Sequence, residues 1–483
     1  MNHDQLLRTQ AEGRNLRPYA RPLGIGMMLA RTAAMMGRLF ALAVLLSPAL
    51  VAQTSSETPV VVVSIDGLKP DCVLEATKYG LRIPNLRRFL TEGAYASGVA
   101  GVLPSSTFPS HTTLMTGVSP AKHGIYANRP FDPFGKNMGG SCFYAEDIRV
   151  PALWDAAARK GLTTGAVHWP VTVGADITCN IPAYWRTGTE DDIKLLRVLS
   201  TPGLFAEIER AVGPYAASND ESFAADERRL AYAVQLYATK KPRLMLIHLD
   251  SLDGVQHKQG PYSRDSFETI EHIDALLGTI RSSAGIDLHR AILCVVSDHG
   301  FAPVSREVRL NFALRNAALL TVDQDGKLTD YRAIIHSAGG SAAVRLKDPG
   351  DHAARLKTRE LLDSLTRDPT SGVLRFYEGD QIAGLRGFPD ADFVVMARIG
   401  FTFVSSFEGP IVKSVVPRGN HGYSPELTEM DSAFFISGPG IPTGRALGRM
   451  DMRDVAPTLA ELLGVELPGA EGRDLLAVSK TAP

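Results

Sequence analysis

The sequence of 483 residues is poor in cysteine and carries no excess charge of either sign. Its four cysteines include no C-x-x-C pair of the kind that binds structural zinc, so any metal must be held by histidine and carboxylate side chains. A formal net charge of −1 provides no basic field, which argues against a nucleic-acid-binding surface. The chain also lacks internal repeats, and its ordinary composition is that of a globular protein.

Long hydrophobic runs are scarce as well. The apolar run from Leu39 to Ala52 is interrupted by Pro48 and is shorter than the roughly 20 residues that cross a bilayer. Arg31 and Arg38 precede it and the polar stretch QTSSETP follows it, which is the pattern of a secretory signal peptide. We therefore expect residues 1–52 to be a leader and the protein to be exported, either periplasmic or secreted, with no stable membrane span after cleavage.

The cysteines allow one bridge without requiring it. Cys142 and Cys179 could form a disulfide in an oxidising compartment, but their spacing does not decide this. Cys294 lies inside the apolar stretch AILCVV, where a buried unpaired thiol is expected.

Three apolar segments end in aspartate. They are VVVVSIDG at 60–67, RLMLIHLDSLDG at 243–254 and AILCVVSDHG at 291–300. Continuous apolar character of this kind predicts strands buried on both faces of a parallel sheet. The intervening SFETIEHIDALLGTIR, at 266–281, has apolar residues at helical spacing. The alternation indicates an α/β fold with a mostly parallel central sheet flanked by helices, whose ligands bind beyond the carboxyl ends of the strands.

Two regions have weaker patterns. We interpret the segments at about 182–222 and 311–419 as insertions that form a smaller cap over the same edge of the sheet. The catalytic domain is then expected to span residues 53–475.

Carboxylate and imidazole groups cluster near the predicted strand ends. Three aspartates and three histidines are enough for two metal ions with three protein ligands each. Alone, each residue is more typical of a turn, a cap or a loop. The order of these residues and strands along the chain is what makes the prediction of a metal site specific. The residues are Asp66, Asp253, His257, Asp298, His299 and His421.

A hydroxyl-rich stretch, PSSTFPSHTTLMTG at 104–117, leads into a predicted helix. Serine and threonine often cap helix N-termini, so most of these hydroxyls are expected to be caps. A hydroxyl near a metal is also a nucleophile, because coordination lowers its pKa.

Taken in this order, these segments resemble the alkaline phosphatase superfamily and, within it, the nucleotide pyrophosphatase/phosphodiesterase family. The similarity extends from about Val60 to Gly464 and includes the closing DMRDVAPTLAELLGV. It implies an alkaline-phosphatase-like fold and two Zn²⁺ ions. The sequence does not distinguish zinc from other divalent metals at these positions. One zinc would be surrounded by Asp66, Thr107, Asp298 and His299, and the second would be held by Asp253, His257 and His421.

The resemblance also assigns the catalytic residues. Thr107 matches the family nucleophile, which forms a covalent phosphothreonine that water then hydrolyses. Asn128 matches the asparagine that binds a phosphoryl oxygen, although on its own it is typical of a turn. Phe108 resembles the aromatic residue that packs on a nucleoside, and a core role is nearly as well supported. His168, in AVHWPVT, is interpreted as structural because both metal sets are complete without it.

The expected activity is hydrolysis of a small phosphodiester or phosphoanhydride, with a nucleotide or a phospholipid head group as substrate. The segment LDSLDGVQHKQGP differs from the family pattern around the second metal. The resemblance therefore does not assign the residues that form the wall of the substrate pocket. Phosphonoacetate-hydrolase-like and phosphomonoesterase activities are the alternatives within the superfamily. A secreted, metal-stabilised binding protein is the alternative that involves no catalysis.

Overall fold

The computed structural model describes residues 57–217, 219–282 and 290–476. The predicted leader at 1–52 lies outside these described residues. Within them, no helix combines the length and the apolar character needed to span a membrane.

The described residues alternate between strands and helices along most of the chain. The strands are β1 (Val60–Ile65), β2 (Gly93–Tyr95), β3 (Gly98–Ala100), β4 (Thr164–Val167), β5 (Cys179–Ile181), β6 (Leu244–Leu249), β7 (Ile292–Val296), β8 (Ala302–Val308), β9 (Leu320–Val322), β10 (Leu328–Tyr331), β11 (Ala333–Ser337), β12 (Ser341–Leu346), β13 (Val373–Glu378), β14 (Phe393–Ala397), β15 (Gly400–Phe403), β16 (Val412–Asn420), β17 (Phe434–Ser437), β18 (Arg445–Ala446) and β19 (Arg449–Asp451). The helices are α1 (Pro70–Leu74), α2 (Ala76–Tyr79), α3 (Pro84–Glu92), α4 (Thr107–Thr116), α5 (Pro120–His123), α6 (Leu153–Arg159), α7 (Asp191–Leu199), α8 (Leu204–Val212), α9 (Phe223–Lys240), α10 (Ser251–Gln259), α11 (Arg264–Ser282), α12 (Leu310–Asn316), α13 (His352–Arg367), α14 (Asp380–Leu385) and α15 (Val455–Leu463).

An eight-stranded sheet forms the centre of the molecule, in the order β18-β2-β17-β7-β1-β6-β4-β5. Strand β17 is antiparallel to β2 and β7, and the other strands of this sheet are parallel to one another. The predicted α/β fold with a mostly parallel sheet is confirmed. The three segments that end in aspartate are β7, β1 and β6, which lie side by side in the middle of the sheet.

Both faces of the sheet are covered, and this explains why β1 is apolar without alternation. Val61 and Val63 pack into a core with helices α3, α9 and α11. Val60 and Val62 point to the other face and pack with α4, α6 and α15. The predicted apolar stripe of α11 lies in the first of these cores, where Ile270 is among its buried residues.

The region at 311–419 forms smaller sheets with a core of their own. Strands β11, β12, β14 and β13 form an antiparallel sheet, and β8 is the middle strand of the three-stranded sheet β15-β8-β16. Strand β8 precedes the segment that the sequence pattern marked as an insertion. The other marked segment carries α7 and α8, whose buried residues Leu196 and Leu204 pack into the same core as β1.

The cysteines are unpaired in the structure. Cys142 and Cys179 are both free, so the bridge that the sequence allows is not formed. Cys294 is a buried free thiol on β7, as its apolar surroundings predict, and burial raises its pKa.

The centre of the sheet should be sensitive to cavities. Leu246 on β6 is 1% exposed, so Leu246→Ala removes fully buried methyl groups and should lower the free energy of unfolding by about 2–5 kcal/mol. Urea unfolding followed by circular dichroism measures this loss. The control Val416→Ala, at a side chain that is 82% exposed, should change stability by less than about 0.5 kcal/mol. Equal effects of the two substitutions would contradict the position of Leu246 in the core.

Candidate metal centre and active site

Adjacent strand ends bring the first group of candidate ligands together. Asp66 follows β1, while Asp298 and His299 follow the neighbouring β7. His299 Nε2 lies 3.4 Å from Asp66 Oδ1 and 3.2 Å from Asp298 Oδ2. One ligand atom from each of the three residues falls within 4.8 Å of the others, which is close enough for one metal ion.

A second group lies beside the first and shares His299 with it. Ligand atoms of Asp253, His299 and His421 also fall within 4.8 Å of one another. The His299 and His421 rings are stacked with centroids 3.7 Å apart. The family resemblance implied that His299 belongs to one set alone, whereas its ligand atoms lie within reach of both groups.

His257 lies at the edge of this second group. It is one helical turn from Asp253 on α10, and its Nε2 lies 3.5 Å from Asp253 Oδ2. Its ring centroid lies 5.1 Å from that of His421, and the side chain is 37% exposed. The predicted second set of Asp253, His257 and His421 is therefore brought to one place, with His257 on its solvent side.

His421 reaches the centre through strand pairing. Strand β16 is antiparallel to β8, with Asn420 opposite Ala302. Because β8 follows closely after His299, this register places the residue after Asn420 beside the end of β7. Gly422 makes the turn that follows, with φ of +84°, and a Cβ there would lie 1.6 Å from the Ala338 carbonyl oxygen.

Backbone carbonyls fix the tautomers of two of these histidines. His421 Nδ1 lies 2.9 Å from the Ser105 carbonyl oxygen, and His299 Nδ1 lies 3.2 Å from that of Gly300. A carbonyl only accepts, so both Nδ1 atoms carry the proton and both Nε2 atoms present a lone pair. Metal-binding histidines commonly have this arrangement, with the second nitrogen bonded to the protein.

The polar atoms that face the centre lack protein partners. Within the described residues, Asp66 Oδ1, Asp253 Oδ1, Asp298 Oδ2 and His299 Nε2 are buried without a hydrogen bond. Three carboxylates and an unprotonated nitrogen therefore point acceptors at one another, which is costly unless a cation lies among them. This donor set fits divalent metal ions, and its mixture of histidine and aspartate suits zinc.

The same crowding shifts the pKa values of the group. Burial raises the pKa of Asp66 well above its usual range, and Asp298 and Asp253 raise it further. Burial also raises the pKa of Asp253, with Asp298 again adding to it. The pKa of His299 is held well below its usual value by burial and by neighbouring histidines. The protein alone thus opposes the charged forms of these side chains, and a bound cation would restore the carboxylate anions.

A glycine after Asp66 allows the close packing of this edge. Gly67 has φ of +71°, and a Cβ there would lie 2.7 Å from Gln256 Nε2 and 2.8 Å from Phe301. Gln256 Nε2 donates to the Gly67 carbonyl oxygen at 2.9 Å, and the Gly67 N–H donates to Asp298 Oδ1 at 3.1 Å. These bonds join the ends of β1 and β7 to α10.

Thr107 is the first residue of α4, where the predicted nucleophile stands at a helix N-terminus. The segment before it is held by Ser105, whose carbonyl oxygen accepts hydrogen bonds from both His421 Nδ1 and the Gly422 N–H. The Thr107 carbonyl oxygen accepts from His111 Nδ1 at 2.8 Å. His111 Nδ1 also lies 3.7 Å from Asp298 Oδ2, so His111 links the backbone of Thr107 to the first ligand group.

Asn128 and Phe108 lie next to Thr107. The Phe108 N–H donates to Asn128 Oδ1 at 3.0 Å, so the amide orientation is fixed and its NH₂ group is left to donate elsewhere. Phe108 is 3% exposed and packs edge to face with Phe143 and Trp185. Its ring therefore contributes to the core in this structure, which is the second of its two predicted roles.

Two residues near the centre were not found by sequence reasoning. His111 accepts from Ser64 Oγ through Nε2 at 2.8 Å, and His248 Nε2 lies 3.5 Å from Asp66 Oδ2. The rings of His111 and His248 are in edge contact, with centroids 4.5 Å apart. The position of His111, one turn after Thr107, was the available signal; His248 lies inside an apolar strand and gave none.

A buried ionic cluster sets the start of α10. The Asp226 carboxylate accepts the N–H groups of Asp250 and Ser251, each at 3.1 Å. Arg229 pairs with both Asp226 and Asp250. His168 Nε2 lies 3.2 Å from Asp250 Oδ2 and belongs to this cluster, outside both ligand groups. The cluster holds the first turn of α10, and with it Asp253, against the sheet.

A mostly parallel sheet that carries overlapping metal-ligand groups and a helix-terminal hydroxyl at one edge has the architecture of the alkaline-phosphatase-like fold. The family of type I phosphodiesterases / nucleotide pyrophosphatases matches residues 60–424, and the chain belongs to this family.

Individual relatives are distant. Human ectonucleotide pyrophosphatase/phosphodiesterase family member 1 is 23% identical over 432 residues, which cover 84% of this chain and 40% of that protein. Human family member 5 is 25% identical over 421 residues, which cover 84% of this chain and 74% of the relative. The chain therefore spans about two fifths of the length of member 1.

Solved structures agree with the fold. The structure of human member 5 is similar with a TM-score of 0.61 at 22% identity, covering 87% of this chain and all of the other. The murine member 5 structure, an inactive threonine-to-alanine variant in complex with AMP, has a TM-score of 0.59 at 20% identity and covers 86% of this chain and 97% of its own.

The first ligand group should control metal retention. Asp66→Asn removes one buried carboxylate charge and should weaken metal binding by more than about 100-fold, since even outer-shell changes cost 10- to 100-fold. Metal content, measured by mass spectrometry after dialysis against a competing chelator, should fall relative to the wild type. The control Asp191→Asn, at a side chain that is 66% exposed, should retain the wild-type content. Equal metal content in both variants would contradict the assignment.

Proposed function

We propose that this chain is a two-zinc phosphodiesterase/nucleotide pyrophosphatase that hydrolyses its substrate through a covalent phosphothreonine on Thr107. The observation that carries the proposal is the position of Thr107, at a helix N-terminus and linked through His111 to Asp298 of the first ligand group. Family membership supports the activity, and the inactive threonine-to-alanine variant of the murine relative supports the choice of residue type.

The proposed ligand sets keep the assignment made from the sequence. Asp66, Thr107, Asp298 and His299 would hold one ion, and Asp253, His257 and His421 would hold the other. When bound, the ions would lower the pKa of the Thr107 hydroxyl and neutralise charge on the attacking and leaving oxygens. Zinc is proposed because histidine and aspartate donors suit it, and metal analysis of the purified protein tests this choice.

In the first step, Thr107 Oγ1 attacks phosphorus and loses its proton. The Oγ1–P bond forms while the bond from phosphorus to the leaving oxygen breaks, and the leaving group takes up a proton. Water then attacks the same phosphorus, the Oγ1–P bond breaks, and Thr107 Oγ1 takes up a proton that the attacking water loses. Each displacement inverts the phosphorus, so the configuration is retained overall.

The surroundings of Thr107 contribute donors for the phosphoryl oxygens. The N-terminus of α4 provides positive potential, while the N–H groups of Ser106, Phe108 and Ser110 donate within the protein. The Asn128 NH₂ group, oriented by its bond to the Phe108 N–H, would bind a non-bridging oxygen. Phe108 is retained as a substrate-binding proposal, with its ring 3% exposed in this structure.

The remaining proposals concern location and substrate. Residues 311–419 would form a cap over the sheet edge, together with the segment at 182–222, on a catalytic domain that spans 53–475. The protein would be exported and act on a small phosphodiester, either a nucleotide or a phospholipid head group.

The activity is tested by comparing rates on bis(p-nitrophenyl) phosphate and p-nitrophenyl phosphate with the zinc-loaded protein. A higher kcat/KM for the diester is expected, because the sequence after Thr107 has no arginine before Arg129 to bind the extra charge of a monoester. A higher kcat/KM for the monoester would instead indicate a phosphomonoesterase. Absence of turnover on both substrates would overturn the proposed function.

Replacing the nucleophile should abolish turnover and spare the metal. Thr107→Ala should lower kcat by about 10,000-fold or more, because no other group forms the covalent ester. The control Ser110→Ala removes a neighbouring hydroxyl on the same helix and should retain activity. Mass spectrometry of acid-quenched protein should detect a phosphoryl adduct in the wild type and in the control. Full activity of Thr107→Ala would refute the role of Thr107.

One substitution can separate the proposed contact of Asn128 with a phosphoryl oxygen from its hydrogen bond to the Phe108 N–H. Asn128→Asp keeps an acceptor for the Phe108 N–H but loses the NH₂ donor, so kcat/KM for the diester should fall by about 100- to 1000-fold. Thermal unfolding should stay close to that of the wild type. Asn316→Ala, an exposed substitution on α12, is the control and should behave as wild type. A loss of stability that matches the loss of activity would point to a turn residue instead.

A further inference from the structure

A cavity of about 630 Å³ opens directly beside the candidate active site. It lies between the segment 127–140 on one side and residues 334–339 and 403–407 on the other, and we call it the cap groove. Its inner end is lined by Ser106, Asn128 and His421. The groove is therefore continuous with the residues around Thr107.

Apolar and polar surface contribute almost equally to the walls of the cap groove, and the apolar part includes three phenylalanines. Phe131 lies in the segment 127–140, whereas Phe403 and Phe407 lie in the segment 403–407. Phe131 is held in place by the guanidinium of Arg345, which lies 4.6 Å from its ring centroid. A surface of this kind binds an organic group through apolar contact.

The groove carries little positive charge. Among its described lining residues, Arg129 is the one permanent cation. The Asp132 carboxylate accepts the N–H groups of Lys136 and Asn137, at 2.9 Å and 2.5 Å. Burial lowers the pKa of His336 to about 4, so this ring is neutral at pH 7. A polyphosphate chain would find few charged partners here, and its desolvation would be poorly compensated.

The position of His421 relates the groove to one side of the reaction. His421 lines the groove, whereas Asp66 and Asp298 of the first ligand group do not. In the proposed assignment, Thr107 belongs with the first group and His421 with the second. Since attack and departure occur on opposite sides of phosphorus, this assignment would place the groove on the side of the leaving oxygen.

We propose that the cap groove binds the leaving alcohol of a phosphodiester and selects a bulky, uncharged, partly aromatic group over a polyphosphate. This inference rests on the proposed function and narrows its substrate class. The groove would exclude water from the leaving group and hold it by contact with Phe131 and Phe407.

Filling the groove from its rim tests the proposal. Ser405 lines the groove and is exposed, so Ser405→Trp should reduce the space without disturbing a core. Two methyl phosphodiesters are compared, one that releases p-nitrophenol and one that releases the larger 4-methylumbelliferone. In Ser405→Trp, kcat/KM for the larger leaving group should fall at least about tenfold relative to the smaller. The control Glu408→Trp, on the same loop but outside the groove, should leave the ratio unchanged.

A second pair of substrates determines which substituent the groove holds. Methyl and naphthyl esters that both release p-nitrophenol differ only in the group retained on phosphorus, and their ratio should be the same in Ser405→Trp and wild type. A change in this ratio, or no change with the first pair, would overturn the proposal. If Ser405→Trp fails to fold, Ser405→Phe serves the same purpose. Failure of the wild type to hydrolyse any diester would instead refute the proposed function.

The charge preference is tested in the wild-type protein. Thymidine 5′-triphosphate and the p-nitrophenyl ester of thymidine 5′-phosphate share the retained nucleotide and differ in the leaving group. We expect kcat/KM to be at least about tenfold higher for the uncharged p-nitrophenyl leaving group. Equal or greater efficiency with the triphosphate would contradict selection against polyphosphate.

Discussion

The repulsion among buried acceptors at one edge of the sheet is the constraint on which the site depends. Asp66, Asp253 and Asp298 direct oxygens without partners toward the unprotonated Nε2 of His299. Among the residues that the structure describes, these atoms have no hydrogen-bond partner, and a positive charge at the centre would turn each contact from repulsive to attractive. The surrounding structure holds these side chains in place: a strand end on one side, the ionic cluster behind α10 on another, and two carbonyls that fix histidine tautomers.

The sheet supplies the precision that such a centre needs. Strands β7, β1 and β6 are parallel neighbours, so their carboxyl ends lie at one edge and deliver ligands from three distant parts of the chain. Apolar packing on both faces holds these strands, and the ligands follow them with few intervening residues. The cap groove is built separately, largely from loops and from the smaller sheets at 333–403. In the proposed function, the edge of the central sheet would carry out the chemistry and the separately built cap groove would select the substrate.

Much of this could be predicted from the sequence, because it rests on local patterns. Continuous apolar runs predicted β1, β6 and β7, and aspartates at their ends predicted the edge where ligands meet. Long-range contacts were beyond that reasoning. The stacking of His299 on His421, the contact of His248 with Asp66 and the burial of Phe108 between Phe143 and Trp185 depend on strand register and on packing. The groove was equally hidden, since its walls come from segments with weak periodicity.

The hydrogen bond from His421 to the Ser105 carbonyl oxygen joins residues 316 positions apart in the chain. Closing a loop of this length has an entropic cost that only the completed domain offsets. A nascent chain that has not yet reached residue 421 therefore lacks one candidate ligand and also the contact that holds the segment before Thr107. In the proposed site, metal capture and alignment of the Thr107 hydroxyl would in this way be tied to the completion of folding, and partly synthesised chains would carry no assembled catalytic centre.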